Sequence, residues 1–109
     1  MAQTKQGRYK EAEDNLLYVQ KFEPQHPVLL FALGDLYMRT NRYREAIAPF
    51  FSLVQRDGTH RLAHTALGIC YEATGDVATA RASFQRAIHV VPGEPYTNVA
   101  REHLARLGG

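Results

Sequence analysis

Leu33-Gly34-Asp35-Leu36-Tyr37 returns 34 residues later as Leu67-Gly68-Ile69-Cys70-Tyr71. The echo continues downstream, where Ala46 and Phe50 recur at the same offset as Ala80 and Phe84. Leu, Gly, Tyr, Ala and Phe thus keep both identity and spacing in two copies. A fixed period of this length points to stacked supersecondary units rather than one irregular core, because a unit so small cannot bury its apolar face alone.

Each period divides into two helical patterns separated by a turn. Residues 8–22 carry Tyr9, Ala12, Leu16 and Val19 on one helical stripe. Gly7 is expected to start this helix as a turn residue, and Pro24 and Pro27 to end it. Tyr9, Ala12 and Leu16 stand one period before Tyr43, Ala46 and Phe50, so the chain enters the array half-way through a unit. The first complete unit covers 27–60. Pro27 suits a helix start, where its missing N–H would be unsatisfied in any case. Leu30, Leu33, Gly34 and Tyr37 form one face, Thr40-Asn41-Arg42 the turn, and Tyr43, Ala46, Ile47, Phe50, Leu53 and Val54 the buried side of a second helix. Pro49 lies inside that helix, where it cannot donate to the Glu45 carbonyl, at a cost of about 3 kcal/mol in an ideal helix, so a local kink is expected.

The second unit covers 61–94. His64, Leu67, Gly68 and Tyr71 face inward, Thr74-Gly75-Asp76 turns, and Val77, Ala80, Phe84, Ala87 and Ile88 complete the pair. Gly7, Asn41 and Gly75 share one position in the period, and all tolerate positive φ. Pro24, Gly58 and Pro92 mark the turns between units. A last helix, 95–107, carries Tyr96, Val99, Ala100, His103, Leu104 and Leu107. There Arg101-Glu102 replaces Leu-Gly, the polar departure expected of a terminal cap.

Composition fits a single domain, 1–109, with 45% apolar and 22% charged residues. A net charge of +2, scattered along the chain, argues against nucleic acid or an anionic membrane surface as partner. No apolar run is long enough to span a membrane and the first eight residues lack the apolar segment of a secretory signal, which makes a cytoplasmic location the default expectation. One cysteine, Cys70, excludes an internal disulfide framework.

Catalytic chemistry finds little support. His60 and His64 are four apart, but no Cys or carboxylate stands at supporting spacing. Cys70 sits within the repeated stretch as a small core residue rather than a nucleophile. Phosphate-cradling loops, nucleophile elbows and metalloprotease motifs are absent. Asp35 and Glu72 lack the defined geometry of an acid–base pair. The chain is expected to be no enzyme and to carry no cofactor or metal.

Leu33-Gly34 with Tyr37, Ala46 and Phe50, and Leu67-Gly68 with Tyr71, Ala80, Phe84 and Pro92, resemble the tetratricopeptide repeat. The resemblance covers essentially the whole chain. It implies an all-α fold in which antiparallel helix pairs stack as a short right-handed superhelix. It also implies a protein–protein interaction scaffold, because the first helix of each pair lines a concave groove in this family. Those groove positions fall on Val28, Phe31, Asp35 and Met38, on Leu62, Thr65, Ile69 and Glu72, and on Tyr96, Val99 and His103 of the last helix. Most are apolar yet lie off the packing stripe, which suggests a surface that a partner covers. Chaperone-binding members hold a C-terminal carboxylate with Lys, Asn and Arg, whereas Phe31, Ala32, Leu62 and Ala66 occupy that region here. The implied ligand is therefore a peptide or amphipathic helix held by side-chain anchors.

A second surface lies on the first helix. Ala12, Leu16 and Val19 have no preceding helix to pair with, and Leu17, Tyr18 and Phe22 add apolar area. Either further repeats precede this segment, or another chain docks at the open edge. The alternative to groove binding is thus an assembly module that self-associates or docks through its first helix. Small repeat proteins that chaperone type III secretion substrates are similar in size and plan.

Overall fold

A computed structural model describes the backbone of residues 2–90 and 95–108, and the side chains of 7–89 and 99–108. Six helices, α1 (Ala2–Gln20), α2 (Pro27–Arg39), α3 (Tyr43–Arg56), α4 (Arg61–Ala73), α5 (Val77–Val90) and α6 (Pro95–Arg106), form an all-α solenoid, and no strand occurs among the described residues. Each helix packs on its chain neighbour from α1 to α6, and α4 also touches α6.

The turn inside each pair is built twice from the same parts. Asn41 (φ 62°) and Gly75 (φ 93°) supply the left-handed residue. The following amides close the turn, Arg42 N–H onto the Tyr37 carbonyl at 2.7 Å and Asp76 N–H onto Tyr71 at 2.8 Å. Thr40 and Thr74 each donate a hydroxyl to the helix carbonyl four residues back, at 3.0 Å in both copies. Helix starts are also capped in register. Nδ1 of His26 accepts from the Val28 amide and Nδ1 of His60 from the Ala63 amide, both at 3.2 Å, while Asp76 Oδ1 accepts from Thr79 N–H.

The repeated glycines serve close packing. A Cβ on Gly34 would stand 2.6 Å from the Phe50 ring, and one on Gly68 only 2.5 Å from the Phe84 ring. Each aromatic of a second helix therefore rests directly on the backbone of the first. Leu30, Leu33, Ala46, Phe50, Leu53, Ala63, Leu67 and Cys70 make the interior of α2–α4, and Ala80, Phe84, Ala87, Ala100 and Leu104 that of α5–α6. Burial raises the Cys70 thiol to about 11, so it stays protonated near neutrality and chemically quiet.

Three details differ from the sequence-based expectation. Helix α1 begins at Ala2 and passes through Gly7, which needs no positive φ where the chain does not reverse. The helix ends at Gln20, short of Phe22. Val77, expected in the core, opens α5 at 38% exposure, because the first residue after the turn sits at the solvent edge. Pro49, as expected, lies inside α3, where it is buried. The turn expected at Pro92 lies outside the described residues.

Arg42 fastens α1 to the array. Its guanidinium bridges Glu13 of α1 (2.7 Å) and Glu45 of α3 (2.5 Å), and lies 4.7 Å from the centre of the Tyr37 ring. At the other end Arg81 of α5 donates to the Leu107 carbonyl, covering the C-terminus of α6.

Candidate functional site

Residues one period apart stand side by side in a stacked array, so the groove positions form columns running from α2 through α4 to α6. The structure divides these columns into two chemically different halves.

At the N-terminal ends of α2 and α4, Val28, Phe31 and Leu62 come together with Pro27, Ala32 and His60 around an open depression of about 370 Å³. Its floor is aromatic. The Phe31 ring stacks on His60 (centroids 5.9 Å apart, 18° between planes) and meets Phe50 edge-on at 5.8 Å. Val28 is 71% exposed at the rim, an unusual place for a valine that nothing covers. His60 Nδ1 is held by the Ala63 amide, which fixes the ring over Phe31 and leaves Nε2 to carry the neutral ring's proton. No Lys, Arg, Asp or Glu lines the depression.

At the C-terminal ends the surface turns polar. Glu72 accepts from His103 Nδ1 at 2.6 Å and from the Arg106 guanidinium, so one carboxylate bridges α4 to two turns of α6. The His103 ring lies over Phe84, 4.9 Å between centroids. Burial works against the Glu72 charge, but the hydrogen bonds from His103 and Arg106 outweigh it and hold the carboxyl below its ordinary value of 4.5. A depressed folded value means that the bridge contributes fully above the unfolded carboxylate range and is lost as pH falls through the folded value. Glu72→Gln is accordingly expected to cost about 1 kcal/mol at pH 7, with faster amide exchange in α6. The difference from wild type in thermal melts should vanish in acid; an equal deficit at pH 7 and in acid would deny the ionic bridge.

The remaining positions are scattered in kind. Asp35 is paired with Arg39 on its own helix at 2.8 Å. Met38 and Ile69 are half-buried against the two interior clusters. Thr65 is buried, its hydroxyl donating to the Arg61 carbonyl, and offers no surface. Val99 is 38% exposed. The side chain of Tyr96 lies outside the described residues. His64, paired with His60 in the metal reading, donates Nε2–H to the Gly58 carbonyl at 2.8 Å. No group of three or more His, Cys, Asp or Glu side chains that would hold a metal ion occurs among the described residues.

Sequence reasoning missed His60 as a lining residue and Arg106 as a partner of Glu72. Both left a periodic trace: His26 and His60 are one period apart at helix starts, and Glu72 and Arg106 are opposite charges one period apart in one column.

The first helix keeps its own apolar surface. Ala12 and Leu16 are half-buried, while Leu17, Tyr18, Val19 and Phe22 are exposed. Among the described residues, no helix is long and apolar enough to cross a membrane.

Comparison with known proteins agrees with this architecture. The chain is similar in structure to the first TPR of Spaghetti (RPAP3) bound to the HSP90 peptide SRMEEVD, with a TM-score of 0.82, 22% identity, and coverage of 96% of this chain and 81% of that one. It is similar to the type III secretion translocator chaperone SycD of Yersinia enterocolitica, with a TM-score of 0.85, 15% identity, and coverage of 98% and 77%. It also resembles MamA of Desulfovibrio magneticus RS-1, with a TM-score of 0.77, 19% identity, and coverage of 96% and 67%. At these identities the likeness is one of fold. No curated protein matches the chain. Two tetratricopeptide repeat family models match, one over residues 31–95 and one over 3–50. With the glycine–aromatic contacts and the duplicated turns, those matches establish that the chain belongs to the tetratricopeptide repeat family.

Proposed function

We propose that this protein is an interaction scaffold whose α2–α4 depression receives an apolar anchor from a partner's amphipathic segment. The observation that carries the reading is the lining: Pro27, Val28, Phe31, Ala32, His60 and Leu62, with no charged Lys, Arg, Asp or Glu. A site that holds a peptide by its terminal carboxylate needs cationic donors in that lining. A concave apolar surface with one polar ring instead rewards insertion of a Leu, Met or aromatic side chain, with the imidazole N–H as a single orienting donor. The peptide carried by the Spaghetti domain, SRMEEVD, is acidic at its end. An acidic terminus would find no counter-charge in this depression.

The test is selection of peptides from a random display library on the immobilised protein, followed by affinity measurement on variants. Selected peptides are expected to share apolar anchors at helical spacing. Leu62→Glu places a carboxylate against the anchor and should weaken them about a hundredfold, while Asp14→Ala on α1 leaves affinity unchanged. Peptides selected for an acidic C-terminus, or insensitive to Leu62→Glu, would refute the reading.

A further inference from the structure

We infer that the outer stripe of α1 binds a second copy of this chain, antiparallel, in a two-fold dimer. Leu17 and Tyr18 on α1 and Phe22 in the turn that follows it lie off the packed stripe of Ala12 and Leu16 and are 37%, 63% and 68% exposed. The Tyr18 and Phe22 rings contact each other edge-on at 5.3 Å, so the patch is a formed surface.

A preceding repeat would not cover it. The counterparts of Ala12, Leu16 and Val19 one period on are Ala46, Phe50 and Leu53, which α2 and the rest of the core bury to 0%, 1% and 2%. The counterparts of Leu17 and Phe22 are Phe51 and Arg56, and both remain exposed although α2 packs beside α3, while that of Tyr18 is the half-buried Ser52. In the following unit, Leu17 and Tyr18 become Gln85 and Arg86, also exposed. Array growth therefore explains the inner face of α1 and leaves most of the outer stripe uncovered.

Head-to-tail stacking on α6 is disfavoured as well. Arg101 and Glu102 stand where paired helices carry Leu and Gly, and covering them with an apolar helix would strip two charges of water. A closed, isologous contact remains. The stripe suits it, since Asp14 on α1 and Lys21 in the turn just after it flank the apolar centre in sequence and are both exposed. With the two-fold axis midway between Leu17 and Tyr18, Asp14 of each copy stands level with Lys21 of the other. Neither residue takes part in an ion pair among the described residues. One helix face is a small interface, so the dimer is weak and reversible. It shares no residue with the α2–α4 depression, and each copy would keep its own.

Sedimentation velocity over a concentration series tests the pairing. The 109-residue chain is expected to pass from monomer to dimer mass in the micromolar range. Tyr18→Arg should abolish the transition. Asp14→Lys and Lys21→Asp should each weaken it about tenfold by opposing like charges, and the double exchange should restore it. Circular dichroism on each variant separates loss of pairing from loss of fold. A monomer at every concentration would overturn the proposal, as would a dimer indifferent to Tyr18→Arg or one that the double exchange fails to restore.

Discussion

Phe84→Ala is expected to lower the unfolding free energy by about 3–5 kcal/mol, the range for deleting a buried aromatic. Phe84 is 0% exposed and joins three helices. Its ring rests on the backbone of α4 at Gly68, belongs to α5, and carries the His103 ring of α6 on its other side. Truncation leaves a cavity that cannot collapse easily, because helix spacing is set by Ala80, Ala87 and Ala100, all at 0% exposure. Against a total stability of roughly 5–15 kcal/mol for a domain of this size, that is a large share. Chemical denaturation followed by far-ultraviolet circular dichroism measures it. A loss below 1 kcal/mol would mean that the ring is not the pin of the C-terminal half.

Gly68→Ala carries the second large effect, and its sign depends on its neighbour. Glycine inside a helix is ordinarily worse than alanine by about 1 kcal/mol. Here the added Cβ meets the Phe84 ring at 2.5 Å, and overpacking of this kind costs about 1–3 kcal/mol. Gly68→Ala is therefore expected to destabilise the wild type. In the Phe84→Ala background the obstruction is gone, and the same substitution should stabilise by up to about 1 kcal/mol. A double-mutant cycle by urea denaturation reads this coupling directly. The same sign in both backgrounds would show that the glycine serves something other than the ring.

The helices and their turns were legible because they recur. Asn41 and Gly75 occupy one position in the period, and both adopt the positive φ that position requires. Gly7 shares the position yet lies inside α1, since a turn residue turns only where the chain must reverse onto a neighbour. The proposed groove positions were legible as addresses in the repeat but not as a surface. Thr65 has a groove address and is buried, because a short hydroxyl side chain bonds back to the Arg61 carbonyl rather than reaching out. Glu72 and His103 were read as separate groove residues and instead pair with each other. Such pairings depend on how closely α4 and α6 approach, which no local pattern encodes. What differs between columns is also what gives the two ends their chemistry: apolar at Val28 and Leu62, ionic at Glu72 and Arg106.

Binding is proposed to reside in the apolar depression and not in the repeated residues beneath it. Nuclear magnetic resonance of the methyl and aromatic groups, during titration with a library-selected peptide, tests this most directly. Shifts at Val28, Phe31 and Leu62 are expected to saturate together, with Tyr18 and Phe22 unmoved. Saturable shifts centred on the Glu72–His103–Arg106 cluster or on α1, with Val28 and Leu62 silent, would contradict the proposal.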